Sequence, residues 1–335
     1  MAEMMRAVGY RKPLPISDPA SLEDLEVPVP APGPRDLLVR VEAVSVNPVD
    51  VKVRAKTDPG GEPKILGYDA AGVVVATGSD VTLFSPGDEV YYAGSINRPG
   101  TDAQFHLVDE RIAGHKPRSL TFAQAAALPL TTITAWEALF DRFRLRPESS
   151  GVLVVLGAAG GVGSMITQLT RALTRLVVIG TASRPESQQW VLDHGAHHVI
   201  DHHDLVQGVR DISPDGVTHV FSAHTAGSIG AFAEILRPEG AITAIDDPQG
   251  LDIMPLKNKS ITFHWEYMFT RPLYQPPDMA EQHELLDRVA DLVDEGTVRT
   301  TLTQELRPIN AATLREAHSM VEQGRMVGKV VVSGW

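Results

Sequence analysis

The chain of 335 residues contains no cysteine, which excludes disulfides and every metal site built on thiolates. It has no uninterrupted apolar run of the roughly 20 residues that cross a bilayer as a helix. Residues 1–14 lack the apolar stretch and small-residue cleavage site of a signal peptide, so a cytoplasmic protein is expected, without a membrane partner. Positive charge is scarce: 30 Lys and Arg against 42 Asp and Glu leave a net charge of −12. Most of such a surface repels phosphates, and nucleic acid is not expected as a partner. Internal repeats and low-complexity segments are also absent. The length suggests about two domains, and an apolar content of 43% is enough to fill two cores.

What the chain does have is one continuous apolar run, Val152-Leu153-Val154-Val155-Leu156, followed by Gly157-Ala158-Ala159-Gly160-Gly161-Val162-Gly163 and then by Met165, Ile166, Leu169, Ala172 and Leu173 at helical spacing. This reads as a buried parallel strand, a tight turn and a helix. Such a turn brings an anion against the first helical turn, where backbone N–H groups and the dipole favour negative charge. The glycines fall as G-x-x-G-x-x-G, with Ala159 where the usual dinucleotide fingerprint has its middle glycine. Glycines alone leave open a turn that only packs a helix closely on a strand. Their place between strand and helix points to nucleotide, with Ala159, Gly160, Gly161, Val162 and Gly163 as its contacts.

Around this stretch the chain changes character. Short β-like runs at 6–10, 36–46, 72–76, 88–93 and 103–108, separated by Gly/Pro turns, predict a mostly β domain. Thr121 is the expected N-cap of a short helix that Pro129 interrupts, and a second helix is expected over 132–143. From 152 to 265 six strand candidates (152–156, 176–179, 198–200, 218–222, 241–245 and 261–265) alternate with helices, the pattern of a doubly wound parallel sheet. Pro185 marks a helix start there, and Gly195 and Gly240 mark helix ends. The tail reads as helix 279–295, strand 298–306, helix 311–323 and strand 329–333, and completes the first domain. The expected domains are therefore 1–130 with 272–335, and 131–271.

Past the second strand, where an NAD-binding fold carries a carboxylate for the ribose hydroxyls, stand Thr181, Ala182, Ser183 and Arg184. A hydroxyl and a guanidinium suit a 2′-phosphate, which favours NADPH. Capping of the helix at Pro185 is the alternative role for Ser183 and Arg184.

Several stretches, in order, resemble the medium-chain dehydrogenase/reductase superfamily: Ser45-Val46-Asn47-Pro48-Val49-Asp50, Leu66-Gly67-Tyr68-Asp69-Ala70-Ala71-Gly72, Pro86-Gly87-Asp88-Glu89-Val90, Ala126-Ala127-Leu128-Pro129-Leu130, Thr134-Ala135-Trp136, the glycine turn, and Gly328-Lys329-Val330-Val331. Within it the likeness is to the quinone-oxidoreductase-like branch called zinc-type alcohol dehydrogenase-like. The resemblance implies a GroES-like β domain, a Rossmann domain inserted before its C-terminal part, and a homodimer. Where the zinc enzymes carry a Cys, the His of Gly-His-Glu and a second Cys, this chain has Asn47, Tyr68 and Leu130, so no zinc is expected.

Without a Lewis acid an alkoxide lacks strong stabilisation, whereas charge spread over a conjugated carbonyl needs only modest hydrogen bonding. The expectation is an enzyme that reduces quinones or α,β-unsaturated carbonyls with NADPH. A nucleotide-binding protein with little turnover, in a redox-sensing, structural or RNA-interacting role, is the alternative. A zinc-dependent alcohol dehydrogenase stands third. By position in the family motifs, Asn47 and Tyr68 are the candidates for polar contacts at the reacting atoms, with Asp50 behind them. Tyr68 is equally readable as packed with its hydroxyl toward backbone. The resemblance also points to Thr134, Ser222, His224, Ile245 and Lys329 as cofactor contacts. Tyr92 and Trp265 are candidates for a substrate pocket. His197, His198, His202 and His203 read as a histidine-rich edge rather than a metal centre.

Overall fold

A computed structural model describes residues 3–335; Met1 and Ala2, with which the first expected domain begins, lie outside the described residues. The chain divides into two compact units, one formed by residues up to Ile133 together with Phe269–Trp335, the other by Thr134–Met268. The divisions thus fall three residues from the expected ones at 130 and 271, on either side of the inserted segment.

The first unit is β-rich. Antiparallel pairing joins Met4–Tyr10 to Glu23–Pro28 and to Lys64–Ile65. A larger sheet runs in the order Leu302–Leu306, Lys329–Ser333, Asp36–Ser45, Ala70–Thr77, Glu89–Tyr92, Ala113–His115, with Phe105–Asp109 also paired to Asp36–Ser45. The C-terminal strand, antiparallel to Asp36–Ser45, carries Lys329 in at its start. Alternating apolar residues fill the core, among them Leu37, Val39, Val41, Val74 and Val332.

The second unit is a six-stranded parallel sheet in the order His198–Ile200, Arg175–Thr181, Ser150–Leu156, Val217–Ser222, Leu236–Ala244, Thr262–Trp265. Sequence order reverses beside Ser150–Leu156, which puts the glycine turn at the switch point, where open α/β sheets bind ligands. Val154, Ile179, Val220 and Ile242 pack from neighbouring strands into a separate core.

Three local readings are adjusted. Pro129 begins a helix, Pro129–Trp136, because a proline at the first position forfeits only an N–H that has no partner within the helix. The helix expected over 132–143 is present as the α-helical 132–136, within Pro129–Trp136, continued by a π-helical run, Glu137–Arg142, with Phe143 N donating to Ala138 O at 3.1 Å. Gly240 lies inside the strand Leu236–Ala244, its missing Cβ leaving room for the Leu236 side chain and the Thr218 carbonyl. Gly195, by contrast, follows the helix Pro185–Asp193 with φ of +100°.

Candidate functional site

The glycine turn is shaped by three different needs. Gly157 has φ of +74°, a left-handed conformation that favours glycine. A Cβ at Gly163 would lie 2.3 Å from Gly157 O and 2.6 Å from the Ala158 Cα, so only hydrogen allows the helix to seat on the turn. Gly160 is the N-cap of the helix Gly161–Leu173, with no side chain capping it and no acidic residue in the first turn. A Cβ there would meet only Gly157 O, at 3.5 Å, so its role is to leave the approach open. Ala159, Gly160, Gly161 and Val162 are half-buried and Gly163 is buried. An uncapped helix N-terminus without a competing carboxylate fits a pyrophosphate.

Of the remaining residues expected around the cofactor, Thr181, Ser183, Arg184, Ser222, His224 and Ile245 follow or end neighbouring strands at the same edge of the sheet. Thr181 Oγ1, at the end of its strand, accepts from Gly157 N at 3.1 Å and fixes the turn from the neighbouring strand. Arg184 is the N-cap residue of Pro185–Asp193, where its backbone N donates to Ser187 Oγ; Ser183 and Arg184 are exposed. His224 stands beside the turn, its ring atoms 3.6 Å from where a Gly157 Cβ would be. Ser222 O accepts from Ile245 N at 3.1 Å, and Ser222 Oγ accepts from His224 N at 3.2 Å. Thr225 and Asp246, which nothing in the sequence signalled, lock these two turns. Thr225 Oγ1 lies 2.6 Å from Asp246 Oδ1 and 3.0 Å from Ser222 Oγ, while Thr225 N donates to Asp246 Oδ2 at 2.6 Å.

In the first unit a buried polar cluster surrounds Asn47. Asn47 caps the helix Pro48–Lys56 and is 1% exposed, as is Asp50; Asp69 is fully buried and Lys329 is 5% exposed. Asn47 Nδ2 donates to Asp69 Oδ2 at 2.8 Å, and its Oδ1 accepts from Lys329 Nζ. Lys329 Nζ also donates to Asp69 Oδ2 at 3.1 Å and to Val46 O at 3.2 Å. The other oxygen of Asp69 accepts from Leu130 N at 2.7 Å. Asp50 accepts from Asn47 N at 2.7 Å and Gly67 N at 3.1 Å. Burial pushes its carboxyl up to about 7, against those two hydrogen bonds and the Lys329 charge. Burial also raises Asp69, and it raises Asp102 well up, with help from Asp50.

This cluster changes the reading of three residues. Asn47 and Asp50 direct their polar atoms to backbone and to buried neighbours. Lys329, expected as a cofactor contact, has three oxygen partners within its own unit. The physical cause is shared: a buried ammonium or carboxylate is stable only when partnered. Tyr68, 1% exposed, packs edge-on against Phe269 at 5.3 Å between ring centres.

Other candidates are dispersed. Tyr92 belongs to the first unit's core and stacks on His106, whose Nδ1 is 3.2 Å from its hydroxyl; an apolar ring on a half-buried sheet packs inward, so the pocket role is withdrawn. Thr134 is buried, while Trp265 is 51% exposed on the edge strand against Phe263. An apolar groove of about 220 Å³, lined by Met5, Val27, Ile65, Phe105 and His106 among others, contains none of the expected site residues. Of the histidines, His197 accepts from Val178 N, while exposed Asp201, His202 and His203 bring ligand atoms within 4.8 Å of one another. Sequence reasoning missed a buried pair in the second unit, Glu137 and Glu266. Burial first and Glu137 second raise the Glu266 carboxyl, and Arg142 Nε donates to it at 2.8 Å.

A parallel sheet of this order, with an uncapped glycine turn at its switch point, defines the dinucleotide-binding oxidoreductase class. The comparisons then narrow the assignment. Residues 33–135 match the alcohol dehydrogenase GroES-like domain and residues 194–332 match a family described as zinc-binding dehydrogenase. The zinc-type alcohol dehydrogenase-like protein SAS2087 of Staphylococcus aureus (strain MSSA476) is 39% identical over 98% of this chain and 100% of its own length. Human mitochondrial NAD(P)H oxidoreductase RTN4IP1 is 30% identical over 90% of this chain and 82% of its own. Among solved structures, one from Rhizobium etli CFN 42 that bears the description zinc-dependent alcohol dehydrogenase superposes with a TM-score of 0.97 at 54% identity, covering 100% of this chain and 99% of that one. Escherichia coli quinone oxidoreductase complexed with NADPH shares the fold, with a TM-score of 0.81 at 22% identity over 98% and 99% of the two chains. The chain belongs to the zinc-type alcohol dehydrogenase-like family of the medium-chain dehydrogenase/reductase superfamily.

Proposed function

We propose that the protein is a zinc-independent reductase that uses NADPH to reduce quinones or the activated C=C bond of α,β-unsaturated carbonyl compounds. The observation that carries this reading is the donor set. At the positions where the zinc enzymes place their ligands stand an amide, a phenol and an isobutyl group, and the amide oxygen is already bonded to Lys329 Nζ. Bound NADPH supplies a hydride, which with one proton converts a quinone to hydroquinone or an enone to the saturated carbonyl. The chain's own residues do the rest. The Gly160 turn binds the pyrophosphate, and Ser183 with Arg184 takes the 2′-phosphate. Ser222, His224 and Ile245 hold the ribose end, their turns fixed by Thr225 and Asp246. Tyr68 is the candidate proton donor, since Asn47 and Asp50 are committed elsewhere. The test is NADPH oxidation against a panel of quinones and enones, with zinc content and chelator sensitivity measured on the same preparation. Turnover of a conjugated acceptor without zinc is expected; turnover only with stoichiometric zinc would refute it.

A second reading, a nucleotide-binding protein with little turnover acting as a redox sensor or structural protein, is favoured by one observation: both polar atoms of the Asn47 side chain are engaged within the unit. NADPH binding with no acceptor turned over would select it. Residence in the cytoplasm and a homodimer belong to the same proposal; among the described residues no helix is long and apolar enough to cross a membrane.

A further inference from the structure

We propose that the Lys329 ammonium is a resident cation: it replaces a bound metal as the positive centre that ties together the segments around residues 47, 69 and 130, and it keeps that place closed to metal. The inference extends the zinc-free part of the reading above and is independent of the substrate. Three features carry it. The ammonium meets oxygens of different kinds, Val46 O at 3.2 Å, Asp69 Oδ2 at 3.1 Å and Asn47 Oδ1, in a setting where it is only 5% exposed. Asp69, through its second oxygen, passes the restraint on to Leu130 N, so one cation organises three loops and the C-terminal strand that delivers it. The surroundings are also acidic: Asp69, fully buried, is ion-paired to Lys329 at 3.1 Å, and Asp50, 1% exposed, accepts from the backbone N of the same Asn47 whose Oδ1 takes the ammonium. With the aliphatic arm taken away, what remains is an oxygen-lined, negatively biased space of the size of an ammonium group, the chemistry that accepts a small hard cation or a primary alkylammonium ion.

Lys329 is therefore a positioning residue, and its test reads stability and metal content instead of turnover. The wild-type protein is expected to purify without stoichiometric zinc and to melt at the same temperature with or without chelator or added zinc. Lys329→Ala is expected to melt several degrees lower and to regain most of that loss in millimolar methylammonium, but not in equal concentrations of tetramethylammonium or sodium chloride. Lys329→Met, which keeps the arm and removes the charge, is expected to lose stability that the double variant Asp69→Asn/Lys329→Met recovers in large part, because the unpaired buried carboxylate is then gone as well. The last comparison decides the matter should Lys329→Ala fail to fold. Equal stability of Lys329→Met and wild type, equal rescue by all three salts, no recovery in the double variant, or zinc bound beside Asn47 with Lys329 intact would each overturn the proposal. Failure of every quinone and enone as substrate would leave it standing, so the two readings fail separately.

Discussion

Glycines that look alike in the sequence do unlike things in the turn. At Gly163 a methyl group would press into backbone atoms at 2.3 and 2.6 Å, whereas at Gly160 it would touch one carbonyl at 3.5 Å. Gly163→Ala is therefore expected to destabilise the protein by about 3 kcal/mol or more, and Gly160→Ala by no more than about 0.5 kcal/mol. Chemical denaturation of the two variants checks the contrast. Arg184 offers a second test at this scale. Arg184→Ala is expected to weaken NADPH binding about tenfold or more while leaving NADH nearly unchanged, as titration with both nucleotides would show; an unaltered preference would remove the 2′-phosphate assignment. The nucleotide-contact candidates were legible because turn, strand end and helix start are consecutive in the chain. The partners that lock them were not, since Thr225 and Asp246 meet only after a full crossover from Val217–Ser222 to Leu236–Ala244, and no local pattern marks them. Asn47 was misread for a similar reason: its amide is claimed by Lys329, 282 positions away.

Elements show the same division between local and distant causes. The Thr121 cap was readable because Thr121 and Gln124 exchange hydrogen bonds three residues apart, and the helices Glu281–Asp294 and Ala311–Glu322 fall close to their expected limits. The strands Glu23–Pro28 and Ala113–His115 escaped notice, the first because its alternating residues include no long apolar run and the second because it is three residues long. The helix Ala311–Glu322 also buries His318 completely, with neither ring nitrogen hydrogen-bonded. Burial first and the Arg54 charge second push His318 down to about 3 from its usual 6.5. The unfolded chain therefore binds a proton below pH 6.5 that the folded chain refuses. The associated stability is complete above pH 6.5 and is lost as pH falls toward 3, at a slope approaching 1.4 kcal/mol per pH unit. His318→Leu is expected to flatten the melting-temperature profile across that window, with a gain that grows as pH falls and is largest near pH 3.

At the scale of the whole molecule, the first unit is built on two sheets and the second on one, no sheet runs from one unit into the other among the described residues, and the second is one continuous stretch, Thr134–Met268. Alternating strands and helices announced that unit, whereas the first was read from short β-like runs between Gly/Pro turns, with a tail more than 130 residues later assigned to it where the alternation stops. Expressed alone, residues 134–268 are expected to unfold cooperatively and to be stabilised by NADPH in proportion to RT ln(1 + [L]/Kd). A melting curve unmoved by millimolar NADPH would place the binding determinants outside the unit.

The wide-turned segment Glu137–Arg142 closes its bonds five residues apart instead of four. Excising one residue there would let the coil close its bonds four residues apart, with the turns on either side keeping nearly the faces they present now. Arg142 would stay within reach of Glu266, to which its Nε now donates at 2.8 Å. Natural variants of this chain should accordingly accept the loss of one residue there more readily than in the regular turns of Pro129–Trp136.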